Sequence, residues 1–135
     1  MKFKEVESEY TFVAEKKMPS GMTARITFYG NYWDDQKTAE FNIFLVVFKK
    51  RKQISELYLK STGKDGLKTL FFAKKAVLDF EKFIVEKYGR CHKKMFINIG
   101  WDDNQRRDLY YRGLKKYGYD FNFFYGRKVL SKRIK

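Results

Sequence analysis

The stretch that decides the fold reads ELYLKSTGKDG over residues 56–66. Its first five residues alternate between polar and apolar side chains, which is typical of a β-strand. A glycine-containing loop follows, and a long amphipathic segment from Leu67 to Tyr88 begins directly after it. A helix N-terminus carries unpaired N–H groups and partial positive charge, and glycine lets a ligand approach the backbone. The sequence therefore predicts an anion site, best suited to a phosphate or pyrophosphate, where this loop enters a helix.

The segments after this loop alternate between strand and helix. The apolar run from Met95 to Ile99 is typical of a buried strand. A second helix is predicted from Asp102 to Tyr117, because Asp102 or Asp103 can cap its N-terminus and the glycine at position 118 can end it. Residues 56–121 therefore predict a strand, a helix, a strand and a helix in that order.

The two ends of the chain are predicted to be β-structure. Polar and apolar side chains alternate from Val6 to Ala14, and residues 41–48 are an apolar run apart from Asn42, typical of a strand buried on both faces. The other predicted elements are a turn at 19–21, a strand at 24–29, a loop at 30–36 and a hairpin through Gly126 with a last strand at 129–134. The pattern predicts one α+β domain over residues 1–135, with a single mixed, twisted sheet of about six to seven strands and two main helices.

The order of elements over residues 41–125 resembles the core of the GNAT superfamily of acyl-CoA N-acyltransferases. The resemblance includes the strand, the glycine loop, the helix, the next strand, and a helix that ends in an aromatic-Gly-aromatic sequence, YGY at 117–119. GNAT domains usually insert one or two helices between their first two strands. Here residues 15–23 contain Pro19 and Gly21, so a helix between those strands is not expected. Either the acceptor is large and brings its own surface, or the fold is kept without the chemistry.

In the GNAT family the glycine loop reads approximately R/Q-x-x-G-x-G/A, and its amides bind the pyrophosphate of coenzyme A. Gly63 occupies the first glycine position and Lys60 the basic position, whereas Gly66 comes one residue late and Asp65 adds a negative charge. The resemblance implies acetyl-CoA as the cofactor, bound between the strand before the loop and the strand at 95–99. The coenzyme-binding residues it implies are Leu59, Lys60, Gly63, Lys64, Gly66, Leu67, Lys68 and Asn104.

The family's later helix follows N-x-x-A-x-x-L-Y-x-K-x-G-F, and its tyrosine protonates the leaving thiolate. Counting forward from Asn104 reaches Tyr111, whereas counting back from Gly118 reaches Leu114, with Tyr110 one turn earlier on the same face. The resemblance therefore implies Tyr110 or Tyr111 as the catalytic acid. The alternative is that the tyrosines of this helix only pack against the core, as their helical spacing also predicts. Four carboxylates are candidates for the base that deprotonates the acceptor amine: Asp34, Asp35, Glu40 and Glu56.

Positive charge is the second main feature of the sequence. The chain contains 30 Lys and Arg against 16 Asp and Glu, a net charge of +14. Residues 1–48 are close to neutral, with 6 basic and 7 acidic side chains, whereas residues 49–135 contain 24 basic and 9 acidic side chains. Such a charge attracts polyanions, although basic clusters also occur simply as solvated surfaces. The predicted polyanion-binding residues are Lys49, Lys50, Arg51, Lys52, Arg127, Lys128, Lys132 and Arg133.

Aromatic side chains alternate with polar ones in the C-terminal hairpin. Phe121, Phe123 and Tyr125 are predicted to share one face of a strand. Exposed rings on that face would stack on nucleic-acid bases, whereas buried rings would belong to the core.

Several classes of protein are disfavoured by the composition. A single cysteine, Cys91, excludes an internal disulfide, and a single histidine, His92, excludes zinc sites built from clustered Cys and His. These two neighbours are expected to point in opposite directions, so a Cys–His nucleophile pair is not favoured. No apolar run is long enough to cross a membrane and no secretory signal is visible, so we expect a cytoplasmic protein.

The sequence favours an acyl-CoA-dependent N-acyltransferase that acts on an amine of an acidic or nucleic-acid-associated target. The alternative is a non-catalytic, GNAT-like basic protein that binds nucleic acid or an acidic protein, of a kind common in viral, phage and mobile-element genomes. A structural subunit whose basic face meets an acidic partner is the third possibility. Coenzyme binding distinguishes the first of these from the others.

Overall fold

The computed structural model describes residues 1–6, 10–33, 37–49, 52–55, 66–101, 104–124 and 126–135. They form eight strands: β1 (Lys4–Glu5), β2 (Thr11–Lys17), β3 (Thr23–Trp33), β4 (Thr38–Lys49), β5 (Lys52–Ser55), β6 (Lys94–Ile99), β7 (Asp120–Phe124) and β8 (Arg127–Arg133). They also form two α-helices, α1 (Gly66–Tyr88) and α2 (Asn104–Leu114), each followed by one turn of 3-10 helix, at Gly89–Cys91 and Lys115–Tyr117.

The strands form one mixed sheet in the order β1-β2-β3-β4-β6-β8-β7, and β5 pairs with β4 off this path. Strands β4 and β6 are parallel, with Thr38 opposite Lys94 and Asn42 opposite Asn98. A parallel pair needs a long crossover connection, and α1 belongs to the segment that connects these two strands. The α+β class predicted from the sequence, with one mixed sheet and two helices, is confirmed.

One compact unit consists of Met1–Tyr29 and Phe44–Phe80, and its core is aromatic. β2 and β3 pair so that Phe12 lies opposite Phe28, and both side chains are fully buried. The ring of Phe80 in α1 stacks on that of Phe28, with centroids 3.9 Å apart. The buried apolar residues of α1 recur every four positions, at 72, 76 and 80, and so lie on one face of the helix. Phe80 packs against the strands from this face. Each such phenylalanine stabilises the fold by about 1.5–3 kcal/mol through apolar burial.

The N-terminal strand differs from its prediction at Tyr10, where φ is 65°. A positive φ interrupts an extended segment, so the residues on its two sides belong to separate strands. These strands pair with each other, with Lys4 opposite Val13. After this point Phe12 and Ala14 are buried as predicted, whereas Thr11, predicted on the opposite face, is buried as well.

The connection between β2 and β3 is a tight turn at residues 18–22, as predicted. Gly21 has a φ of 92°, and its N–H donates to the Met18 carbonyl oxygen at 2.9 Å. Glycine suits this position because a side chain there would be strained. The turn leaves β2 and β3 as direct neighbours in the sheet.

The second compact unit consists of Gly30–Ile43 and Glu81–Lys135. One face of its part of the sheet is apolar, with Phe41, Ile97 and Leu130 fully buried. The second helix ends as predicted: Gly118 has a φ of 98°, and its N–H donates to the Lys115 carbonyl oxygen at 3.2 Å. A left-handed residue at this position lets the chain leave the helix and enter β7.

Two predictions about strands were wrong. Residues 30–33 were predicted as a loop but continue β3 to Trp33. Residues 41–48 were predicted to be buried on both faces, yet Asn42 is exposed and Phe44 is 39% exposed. An apolar run alone does not establish two-sided burial, because folded proteins keep many apolar side chains on their surface. The predicted strand at 56–60 and the helix caps Asp102 and Asp103 lie outside the described residues.

Candidate active site

The residues predicted to bind coenzyme A fall into two groups. Leu59, Lys60, Gly63 and Lys64 lie outside the described residues. Gly66, Leu67 and Lys68 begin α1, and Asn104 begins α2. The first turn of α1 contains no acidic residue, so no carboxylate within it offsets the partial positive charge of its N–H groups. The first turn by itself therefore suits an anion, whereas Asp65, directly before it in the sequence, has the opposite effect.

An open cavity of about 590 Å³ adjoins the start of α1. Its lining combines three lysines with an exposed aromatic ring and two turn residues: Lys16, Lys17, Lys68, Phe71, Met18 and Pro19. The lysines of β2 were not predicted to belong to a site, because nothing in the sequence indicates that β2 ends beside the first turn of α1. The cavity is cationic and shallow enough to be reached from solvent.

Strand β6 lies between two other strands of the sheet. The resemblance implied that the coenzyme binds in a splay between residues 57–60 and residues 95–99, and residues 57–60 lie outside the described residues. In the structure the neighbours of β6 are β4 on one side and β8 on the other. The parallel partner of β6 is therefore the first half of β4, and this register ends where Asn42 lies opposite Asn98.

A buried carboxylate lies next to the end of this parallel register. Glu40 of β4 is only 6% exposed, and its Oε2 accepts a hydrogen bond from Asn98 Nδ2 of β6 at 3.2 Å. Asn98 in turn accepts a hydrogen bond from Ser131 Oγ of β8 through its Oδ1 at 2.8 Å. Asn98 and Ser131 are also buried. The three side chains form a continuous hydrogen-bonded row across three neighbouring strands, and exposed Asn42 borders it.

The environment of Glu40 favours its protonated form. Burial raises the pKa of this carboxyl above the ordinary value of 4.5, and hydrogen bonds from Asn98 and Asn42 offset only part of that effect. A carboxyl with a raised pKa binds a proton more readily than an ordinary one, which is a property of catalytic bases. Glu40 is one of the four carboxylates predicted as the base, and Asp34, Asp35 and Glu56 lie outside the described residues. The hydrogen bond of Glu40 with Asn98 depends on the β4/β6 register, so it has no signal in the sequence.

The two tyrosines predicted as catalytic acids lie on α2, and both are half-buried. The ring of Tyr111 stacks on that of Phe121, with centroids 4.7 Å apart. Phe121 lies opposite Leu130 in the β7/β8 pair, so Tyr111 is on the Leu130 face of the sheet. Successive residues of a strand point to opposite faces, so Ser131 lies on the other face, as does Glu40, which is linked to it through Asn98. The structure therefore does not bring Tyr111 together with Glu40.

A second buried polar cluster involves Glu81 of α1. Its carboxylate accepts hydrogen bonds from Tyr119 Oη at 3.0 Å and from Lys132 Nζ at 2.6 Å. Burial, and then the charge and hydrogen bond of Glu81, raise the pKa of Tyr119 above its ordinary value, so the phenol stays neutral. Because Glu81 balances the charge of Lys132, we leave this lysine out of the polyanion-binding surface.

The other predicted polyanion-binding residues are exposed or undescribed. Arg127, Lys128 and Arg133 of β8 are exposed. Lys50 and Arg51 lie outside the described residues, and of Lys49 and Lys52 only the backbone is described, at the ends of β4 and β5. The exposed cations of the described chain therefore include those of the C-terminal hairpin.

Other chemistries find little support in the described part of the chain. Cys91 is exposed whereas His92 is buried, and the His92 ring lies 5.8 Å from that of Tyr32. The described residues contain no group of three or more His, Cys, Asp or Glu arranged to hold a metal ion. Among the same residues, neither helix is long and apolar enough to span a bilayer.

Comparisons with protein-family models, with curated proteins and with solved structures each found no significant match.

Proposed function

We propose that this protein is a GNAT-like N-acyltransferase that transfers an acetyl group from acetyl-CoA to an amine of an acidic or nucleic-acid-associated target. The observation that carries the proposal is the buried Glu40, hydrogen-bonded to Asn98 beside the end of the parallel β4/β6 register. An acyl transfer to an amine needs a base, because a protonated amine has no electron pair for attack. Glu40 combines a raised pKa with a neighbour, Asn42, that is exposed to solvent.

The topology agrees with the resemblance in the sequence. A parallel pair is connected through a long helix, a second helix follows, and an antiparallel hairpin completes the sheet with its last strand inserted next to β6. The resemblance implies that the coenzyme binds between residues 57–60, which lie outside the described residues, and the strand at 95–99, which is β6. The first turn of α1, with Lys68 and without a carboxylate, suits the pyrophosphate.

The chemistry assigned to the chain's own residues is limited to proton transfer and positioning. Acetyl-CoA, when bound, supplies the thioester carbonyl that the amine attacks, forming a C–N bond as the C–S bond breaks. Glu40 accepts the proton that the amine loses. Asn98 holds the Glu40 carboxylate, and Ser131 orients Asn98 through its other amide atom. The sequence predicted Tyr110 or Tyr111 as the acid that protonates the thiolate. This role stays a prediction, because Tyr111 lies on the face of the sheet opposite to that of Glu40.

Replacement of the base tests the proposal. We expect Glu40→Gln to lower the rate of thiol release from acetyl-CoA, measured with a lysine-containing peptide as acceptor, by about 100-fold or more. Its affinity for acetyl-CoA should not change, because Gln has the same size and Glu40 is assigned no contact with the coenzyme. Glu86→Gln, at an exposed position of α1, is the matched control and should retain the full rate.

Two results would contradict this function. Equal rates for Glu40→Gln and the wild-type protein would remove Glu40 from the reaction. Absence of coenzyme binding by the wild-type protein would favour the alternative, a non-catalytic basic protein with a GNAT-like sheet.

A further inference from the structure

The β7/β8 hairpin presents an exposed aromatic ring next to exposed cations. Phe123 of β7 is 66% exposed and lies directly opposite Lys128 of β8. Phe121 lies two residues earlier on the same face and is half-buried. A phenylalanine this exposed contributes little to the core, and among the described residues only Phe71 is comparably exposed. The hairpin therefore has an apolar ring available for a ligand.

Lysines flank the aromatic rings on this face. The Lys128 ammonium lies 4.8 Å from the centroid of the Phe121 ring, and the Lys115 ammonium lies 5.8 Å from that of Tyr111. The Phe121 and Tyr111 rings stack on each other, and Trp101 meets Phe121 edge to face at 5.7 Å. Half-buried rings are thus fixed in place by packing, with ammonium groups beside them and the ring of Phe123 projecting beyond.

The backbone of β7 is not available to a peptide strand at these residues. β7 is the last strand in the sheet order, a position where unpaired amides often accept another strand. Here the N–H of Phe121 donates to Asp120 Oδ1, and the N–H of Phe123 donates to Asn122 Oδ1, each at 2.8 Å. A partner of this surface must therefore be recognised by side chains, through rings and positive charge.

From these observations we infer that the β7/β8 hairpin is a docking surface for single-stranded nucleic acid. A base stacks on Phe123, and Lys128 on the same face contacts the backbone phosphates. Single strands satisfy both features because their bases are free to stack on aromatic side chains while their phosphates neutralise cations. In a duplex the bases are already stacked, which leaves only the phosphate contacts. Residues 49–135 contain 24 basic and 9 acidic side chains, so their net charge is positive and attracts the negative charge of a nucleic acid. This inference does not depend on the acyltransferase function.

Fluorescence anisotropy with a labelled single-stranded oligonucleotide of mixed sequence tests the inference. We expect Phe123→Ala to weaken binding about tenfold, as loss of one base–aromatic stack does, and Phe123→Tyr to restore it. Lys128→Gln should weaken binding and reduce the slope of log K against log salt by about 0.7, which corresponds to one phosphate contact with a single strand.

Matched controls lie in the other compact unit. Phe71 is 65% exposed and lines the lysine-rich cavity, and Lys75 is an exposed lysine of the same helix. Phe71→Ala and Lys75→Gln should leave the affinity unchanged. Because Phe123 and Phe71 are both exposed, neither alanine variant should alter the circular dichroism spectrum.

Three outcomes would overturn the inference. Unchanged affinity in Phe123→Ala would remove the stacking contact, and a larger loss in Phe71→Ala would move the binding site to the cavity. Equal affinity for an oligonucleotide and for polyglutamate of the same charge would mean that the hairpin recognises negative charge alone, as a surface for an acidic protein does.

Discussion

Replacement of Glu40 by glutamine should stabilise the protein at neutral pH while it removes the proposed base. Burial raises the pKa of the Glu40 carboxyl above 4.5, so the folded state favours the neutral form. Glutamine imitates that neutral form, and its side-chain oxygen can still accept the hydrogen bond from Asn98 Nδ2 that Glu40 accepts at 3.2 Å. Burying an ionisable carboxyl lowers the stability of the folded state at neutral pH. A residue that only packs has no reason to retain this cost, whereas a base does.

The magnitude follows from proton linkage. Below pH 4.5 both the folded and the unfolded states hold the proton of Glu40, and the residue adds no pH dependence. Between 4.5 and the higher pKa of the folded state, unfolding releases one proton. The free energy of unfolding of the wild-type protein therefore falls by up to about 1.4 kcal/mol per pH unit in that window, and the loss is complete above it. Glu40→Gln does not undergo this loss. Its free energy of unfolding should therefore exceed that of the wild-type protein by an amount that grows with pH and then becomes constant.

Urea denaturation followed by circular dichroism, repeated from pH 4 to pH 8 at constant ionic strength, measures this difference. The other carboxylates titrate in both proteins, so their contributions cancel when the two free energies of unfolding are subtracted. Glu86→Gln, at an exposed site, should show no growing advantage. A difference between Glu40→Gln and wild type that is flat across this range, or a variant less stable at pH 7, would refute the reasoning.

Two further predictions concern the fold. Phe80→Ala removes a fully buried ring that stacks on Phe28 at 3.9 Å, and should lower the free energy of unfolding in urea by about 3–5 kcal/mol; a loss below 1 kcal/mol would contradict the assigned core. Gly118→Ala places a side chain at φ 98° and should cost about 1 kcal/mol, whereas Gly113→Ala, within α2 and with open space for its Cβ, should stabilise by about 0.5–1 kcal/mol. Opposite signs for the two glycines, seen in thermal and urea denaturation, are the expected result, and equal signs would contradict the assigned helix end.

The elements that local patterns specify were predicted well. The helix predicted from Leu67 to Tyr88 begins one residue earlier, at Gly66. It was predictable because its apolar residues recur every four positions and a glycine marks its start, and both signals are local. The predicted strand at 95–99 and the predicted hairpin through Gly126 were confirmed, and their sequence signals are local as well. The break at Tyr10 was missed because its positive φ has no glycine to signal it.

The candidate site was only partly predictable because it depends on strand order. Glu40, Asn98 and Ser131 come from three strands, and no spacing along the chain shows that these strands are neighbours. The resemblance placed the coenzyme between residues 57–60 and the strand at 95–99, and residues 57–60 lie outside the described residues. That β6 pairs with β4, in the register between Thr38–Asn42 and Lys94–Asn98, has no signal in the sequence.

The proposed acyltransferase function requires that the protein bind acetyl-CoA. A calorimetric titration of the purified protein with acetyl-CoA at moderate salt measures this binding. We expect micromolar binding that is lost in Gly63→Val, whose side chain would obstruct the predicted approach of the pyrophosphate to the loop. An absence of binding up to millimolar coenzyme would contradict the acyltransferase function and leave the basic surface as the functional part of the protein.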